Sequence, residues 1–160
     1  MNDLHLKLKE KFADAVVETH NHRGDETAVI SREKLIQVAE FVKTSSDFAM
    51  NVLMDLTCVD GLTMGWNPRF EVVYHFYSLQ NNSRIRLKVR VAEKDAIVPS
   101  LVNLWPSANW FEREVWDMFG IKFDGHPDLK RILMYAEFKG HPLRKDYPVN
   151  KRQPLIGPKN

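Results

Sequence analysis

The chain has 160 residues, 44% hydrophobic and 28% charged, with a formal net charge of +2 and a single cysteine. That is one domain's worth of sequence with the balance of a soluble globular protein. It excludes an internal disulfide and a thiolate metal cage made by this chain alone, and no run approaches the roughly 18 apolar residues of a spanning helix.

The opening stretch MNDLHLKLKEKF mixes both charge signs without an apolar leader, which predicts a protein kept in the cytoplasm or a comparable compartment. Leu4, Leu8, Phe12, Ala15 and Val16 recur at helical spacing and predict an amphipathic helix ending near Thr19. NHRGDE follows as a polar turn and TAVI as a short strand. Ser31 is then placed as the N-cap of a second helix, in which Leu35, Val38, Ala39 and Val42 form a single-sided stripe. VLMDLTCVDG predicts a strand ended by Asp60 and Gly61, with Cys58 a buried, inert thiol inside its apolar run.

The clearest strands come next. In RFEVVYHFYSL, Phe70, Val72, Tyr74 and Phe76 share one face, and QNNS suits a hairpin connection. In RIRLKVRV, Ile85, Leu87, Val89 and Val91 alternate with Arg84, Arg86, Lys88 and Arg90. The cationic face has no assigned partner and reads as solvated. After a short helical turn beyond Pro99, Pro106 and Ser107 start a helix lined by Phe111, Val115, Met118 and Phe119, and Gly120 is placed to end it. The expected fold is α+β, an antiparallel sheet with packed helices over residues 1–120.

Residues 121–160 are a different physical object, an extended, basic, proline-rich docking tail. Residues 1–119 carry 14 basic and 17 acidic side chains, whereas residues 120–160 carry 9 basic and 4 acidic and hold five of the eight prolines. RILMYAEF predicts at most a short strand or one helical turn. With Leu129, Ile132, Leu133, Met134, Tyr135, Phe138, Leu143, Tyr147 and Leu155, the tail is too apolar for a solvated linker, so it lies against its own domain or another protein.

Gly-His-Pro occurs twice, at Gly125–His126–Pro127 and Gly140–His141–Pro142. The histidines are fifteen positions apart, which matches no compact zinc-binding spacing. A zinc site completed by Asp124, Asp128 or Asp146 stays open, but the favoured reading is two corners whose imidazoles bond nearby backbone or carboxylate groups. Glu112, Glu114 and Asp117 cluster on one helix, with Arg113 four residues before Asp117 and able to pair with it. Lacking a Glu-x-x-His pattern, this cluster reads as a clamp for the basic LRKDYP segment and not as a di-iron or acid–base site. No G-x-G-x-x-G, Walker loop or G-x-S-x-G is present. Nucleic-acid binding through Trp105, Trp110 and Trp116 is disfavoured, since these tryptophans fall at core-like positions in a net acidic body. From the residues alone the chain is a cofactorless docking subunit.

WFEREVWDMFGIKFDGHPDLKRILMYAEFKGHPLRKDYP resembles the signature of the C subunit, the 30 kDa subunit family, of the proton-pumping NADH:quinone oxidoreductase, respiratory complex I. The residues that carry the match are Glu112, Arg113, Glu114, Asp117, Met118, Phe119, His126, Arg131 and Ile132, and the likeness continues through GHPLRKDYP. LMDLTCVDG, RFEVVYHFYSL, RIRLKVRV and VPSLVNLWPSANW extend it from about Ala28 to Pro154. Lys130 and Ala96 depart from the residues commoner there, Arg and Pro. The resemblance implies an α+β subunit of the hydrophilic arm, peripheral on the cytoplasmic side of the cell inner membrane, supporting NADH oxidation, quinone reduction and proton translocation. It implies no flavin, iron–sulfur cluster or nucleotide in this chain, with FMN and clusters in partner subunits. It also implies a tail that runs over the D subunit of the complex, near the B and I subunits. Arg131, Arg144, Lys145, Asp146 and Tyr147 would then supply docking contacts beside Glu112, Arg113, Glu114, Asp117, His126 and His141. Related subunits of membrane-bound hydrogenases, the F420H2 dehydrogenase and the photosynthetic NDH complex are the alternative within this class. A free-standing metal hydrolase is the alternative outside it.

Overall fold

The computed structural model describes residues 3–154. In chain order these form α1 (Leu4–Lys11), β1 (Val16–His22), β2 (Asp25–Ile30), α2 (Leu35–Thr44), β3 (Val52–Asp60), β4 (Phe70–Ser78), β5 (Ser83–Val91), β6 (Ile97–Pro99), α3 (Ala108–Phe119) and β7 (Lys122–Asp124). The large sheet has the order β1-β2-β5-β4-β3, and β6 and β7 form a small second sheet. Within the large sheet every ladder is antiparallel except β2 with β5, which is parallel. The fold is α+β, and no helix among the described residues is long and apolar enough to cross a membrane.

Period-two patterning sets the core. Phe70, Val72, Tyr74 and Phe76 on β4 and Ile85, Leu87, Val89 and Val91 on β5 turn to the same side and are almost wholly buried. Leu35, Val38, Ala39 and Val42 of α2 and Val115, Met118 and Phe119 of α3 join them in one cluster. Each buried side chain of this size adds about 1.5–3 kcal/mol of transfer free energy, so this shared face is the main source of stability.

Three expectations change. The first helix stops at Lys11, because the backbone turns at Phe12, whose carbonyl accepts from Ala15 and Val16. Val16–His22 then pairs with β2: a β-branched segment gains more from a ladder than from further helical turns. Ser31 makes no side-chain cap and instead leads into a single tight turn, Arg32–Lys34, before α2. The cationic face of β5 is not simply solvated. Lys88 lies 2.8 Å from Glu71, Arg90 2.7 Å from Glu18 and Arg86 3.1 Å from Asp25, while Arg84 stacks on Tyr77.

Past β7, residues 125–154 contain no helix or strand. The tail nonetheless lies on its own body, with Leu129 and Met134 packed against the core. Leu155, counted among the tail's apolar groups above, is outside the described residues.

Candidate functional site

The site is the seam between tail and body, and it begins with an elementary deficit. The last turn of any α-helix leaves carbonyls with no partner inside the helix. At the end of α3 the tail supplies most of the missing donors. The Gly120 amide donates to the Trp116 carbonyl, as a left-handed glycine at a helix end does. The His141 Nδ1–H donates to Asp117 (3.0 Å), the Leu143 amide to Met118 (3.1 Å) and Arg144 Nε to Phe119 (2.5 Å). Arg144 also brings a cation to the negative end of the helix. Gly120 is required twice over: its φ is +79°, and a Cβ there would come 2.6 Å from His141 and 2.8 Å from Arg144.

Two carboxylates pin the rest. Asp117 has no exposed surface, and one of its oxygens accepts the amides of Ile132, Leu133 and Met134 at 2.9–3.0 Å. The other takes Arg131, whose guanidinium also donates to the Phe138 and Gly140 carbonyls and lies over the Trp116 and Phe138 rings. Burial alone would raise Asp117, but these donors win and hold its carboxyl below the ordinary range. The second carboxylate is Asp60, at the end of β3. It takes a bidentate pair from buried Arg69 (2.9 and 2.6 Å), the Leu62 amide (3.0 Å) and, from the tail, the Lys145 amide (2.8 Å). Despite the opposing effect of burial, Arg69 and the two amides lower it to about 2. Arg69 then reaches Asp146 at 2.7 and 3.1 Å and Glu93 at 2.8 Å, and Glu93 also meets Arg144.

The other residues singled out in the sequence fall as follows. Glu112 points into the core, not at the tail; it accepts from Ser100 Oγ and the Leu101 amide, both at 2.7 Å. Burial pushes it up to about 7, with those two hydrogen bonds opposing. Glu114 is exposed, so it and Asp117 do not form a pair despite their spacing. Arg113 bonds the Lys130 and Arg131 carbonyls and stacks on Trp110, leaving Asp117 to Arg131. His126 donates from Nε2 to the Asn109 carbonyl and accepts the Asp128 amide at Nδ1. Burial, with Arg144 and Arg131 nearby, lowers the His141 pKa against the opposing effect of its bond to the Asp117 carbonyl. Both tripeptides turn at a positive-φ glycine, Gly125 and Gly140. Tyr147 rests on Gly140 and Phe138 and accepts from Gln153. Trp110 is 62% exposed, a departure from its core-like assignment.

LRKDYP is therefore held, but by Asp60, Arg69, Glu93 and the end of α3, not by the α3 carboxylates. Asp60 is read from the sequence only as a strand end, and Arg69 is not singled out there at all. Their signal was an acid ending one apolar strand and an arginine opening the next, nine residues apart across a tight loop. Cys58 is buried and its thiol is pushed up to about 12. Among the described residues, no three His, Cys, Asp or Glu side chains converge in a way that could hold a metal.

Residues 28–153 match the family model described as respiratory-chain NADH dehydrogenase, 30 Kd subunit. The NADH-quinone oxidoreductase C subunit of Geobacter sulfurreducens is 45% identical over 154 residues, 95% of this chain and 93% of that one. Its counterpart in Roseiflexus sp. is 47% identical over 147 residues, 92% and 83% of the two chains. Among solved structures, a trypsin-resistant fragment (1-134) of Nqo5 has a TM-score of 0.68 at 33% identity, covering 81% of this chain and 100% of that one. A chain of the membrane-bound sulfane sulfur reductase, an archaeal respiratory membrane complex, has a TM-score of 0.75 at 22% identity over 92% and 85% of the chains, a likeness of fold alone.

Proposed function

Because the chain belongs to the family of the respiratory-chain NADH dehydrogenase 30 Kd subunit, we propose that it is a structural member of the peripheral arm of a proton-pumping NADH:quinone oxidoreductase. It holds no redox group. Electrons pass from NADH through FMN and iron–sulfur clusters of partner subunits to quinone, and this chain fixes the geometry of its neighbours. The partners are the D, B and I subunits of complex I, on the cytoplasmic side of the inner membrane, and membrane contact is indirect.

One observation carries this reading: a tail without helix or strand is fixed to the body through Asp60, Asp117, Arg69 and the end of α3, while Leu133, Leu143 and Val149 face outward, 55%, 52% and 104% exposed. Large apolar side chains left exposed on a segment held by its own body are what a docking element offers. Cys58 is buried and the His141 imidazole is bonded to the Asp117 carbonyl, which fits structural roles for both.

The test is depletion and replacement. A complex lacking this subunit should lose NADH:quinone reductase activity and regain it when the chain is restored stoichiometrically. The purified chain should oxidise no NADH and contain neither flavin nor iron. Stoichiometric flavin or iron in the lone chain, or full quinone reduction without it, overturns the reading.

A further inference from the structure

The tail is not the whole of the outward surface. Between β3 and β4, Leu62, Met64 and Trp66 are 43%, 55% and 39% exposed within five residues. Single exposed apolar side chains are ordinary, but three large ones on one short loop form a patch. The loop is also rigid. Gly61 donates to the Arg69 carbonyl across its neck (2.9 Å), the Met64 and Trp66 amides both donate back to the Gly61 carbonyl, and the Trp66 ring lies against Gly61. Such preorganisation removes ordering cost from an association.

Asp60 joins this loop to the tail. One of its oxygens accepts the Leu62 amide and the other the Lys145 amide, so the two segments meet on a single carboxylate, with Leu143, 52% exposed, two residues upstream. Among the described residues the nearby carboxylates are paired and two cations are not. Asp146 and Glu93 are committed to Arg69 and Arg144, whereas the Lys145 and Lys94 ammonium groups make no ion pair among the described residues. Lys94 shares a cleft of about 410 Å3 with Trp66.

We propose that Leu62, Met64, Trp66 and Leu143, rimmed by Lys94 and Lys145, form one docking face for an acidic-rimmed apolar surface of a neighbouring protein subunit. This rests on the reading that the chain is part of a larger assembly, and it adds a loop of the body to the tail. A second copy of this chain is the poorer occupant, since it would set the same cations against each other.

The test uses the assembled complex. On incorporation of the full wild-type chain, the amides of residues 61–66 should gain at least tenfold protection from hydrogen exchange. A photo-crosslinking side chain at Met64 should join an Asp- and Glu-rich peptide of another subunit. Lys145→Glu keeps the backbone amide that Asp60 needs; it should raise the dissociation constant of the chain from the depleted complex roughly tenfold, with a weakened salt dependence. Unchanged exchange at residues 61–66, cross-links to lipid or to a second copy, or wild-type binding by Lys145→Glu overturns the proposal. If the wild-type chain itself fails to join the complex, the subunit reading falls as well, so the two failures are distinguishable.

Discussion

Arg69 grips Asp146 through two hydrogen bonds, 2.7 and 3.1 Å, across 77 residues of chain. The arginine is 7% exposed and already bidentate to Asp60, so the tail docks onto a charge the body has positioned in advance. Together with Asp117 and the caps on α3, this makes residues 131–146 an integral part of the domain although they contain no helix or strand.

Asp117→Asn tests the inner clasp. The substitution keeps one acceptor but removes the charge that faces Arg131 and sets an amide donor against either the guanidinium or three backbone N–H groups. Breaking a buried pair in this way costs about 3 kcal/mol. The expected outcome in urea denaturation is a midpoint lowered accordingly, with faster tryptic cleavage at Lys130 and Arg131.

Acid should release the tail. Asp60, Asp117 and Asp146 all have carboxyls lower in the folded state than in the unfolded. Their contribution is therefore fully present above the ordinary carboxylate range and is lost as pH falls through the folded values. For Asp60 the window runs from near 3.8 down to about 2 and is worth about 2 kcal/mol. Asp60→Asn should flatten the acid limb of a stability-versus-pH curve, measured by the urea midpoint at each pH.

Glu112 works with the opposite sign. Its folded value is raised from 4.5 to about 7 by burial, so the stability it adds is complete below the unfolded value and is lost as pH rises through 7. Glu112→Gln imitates the neutral acid: its carbonyl still accepts from Leu101 and its amide donates to Ser100. The difference between the two proteins' urea midpoints should widen in the variant's favour from pH 5 to pH 8. A constant difference would contradict this.

Gly120→Ala should cost about 2 kcal/mol, combining a left-handed backbone with a methyl group driven into His141. Pairing it with His141→Ala removes the nearer of the two obstacles and leaves the flexible end of Arg144, so the double variant should lose at least 0.5 kcal/mol less than the sum of the single losses. Thermal unfolding of the four proteins provides the comparison.

Much of the body was legible because its patterns are periodic. The β4 and β5 alternation, the α2 stripe and the Gly120 stop each follow from local spacing that burial enforces. The end of α1 was not legible: Ala15 and Val16 fit a helical stripe and also an edge strand, and only the partner β2 decides between them. Pairing of β6 with β7 joins two three-residue strands too short to show a period. The tail's path was invisible for a related reason. Its order comes from single long-range bonds to Asp60, Asp117 and the α3 carbonyls, and such bonds leave no periodic trace. Proline content and apolar residues showed that the tail needed a surface, not that its own domain supplied it.

The most direct measurement is incorporation of a chain ended at Gly140 into the oxidoreductase. The account predicts a core that still folds, because the α2, α3 and sheet residues of the hydrophobic cluster all precede the cut, but with a lower melting temperature because α3 loses the His141, Leu143 and Arg144 donors. It also predicts poor retention in the complex, with quinone reduction falling in proportion. Normal incorporation and full quinone reduction by the shortened chain would contradict it.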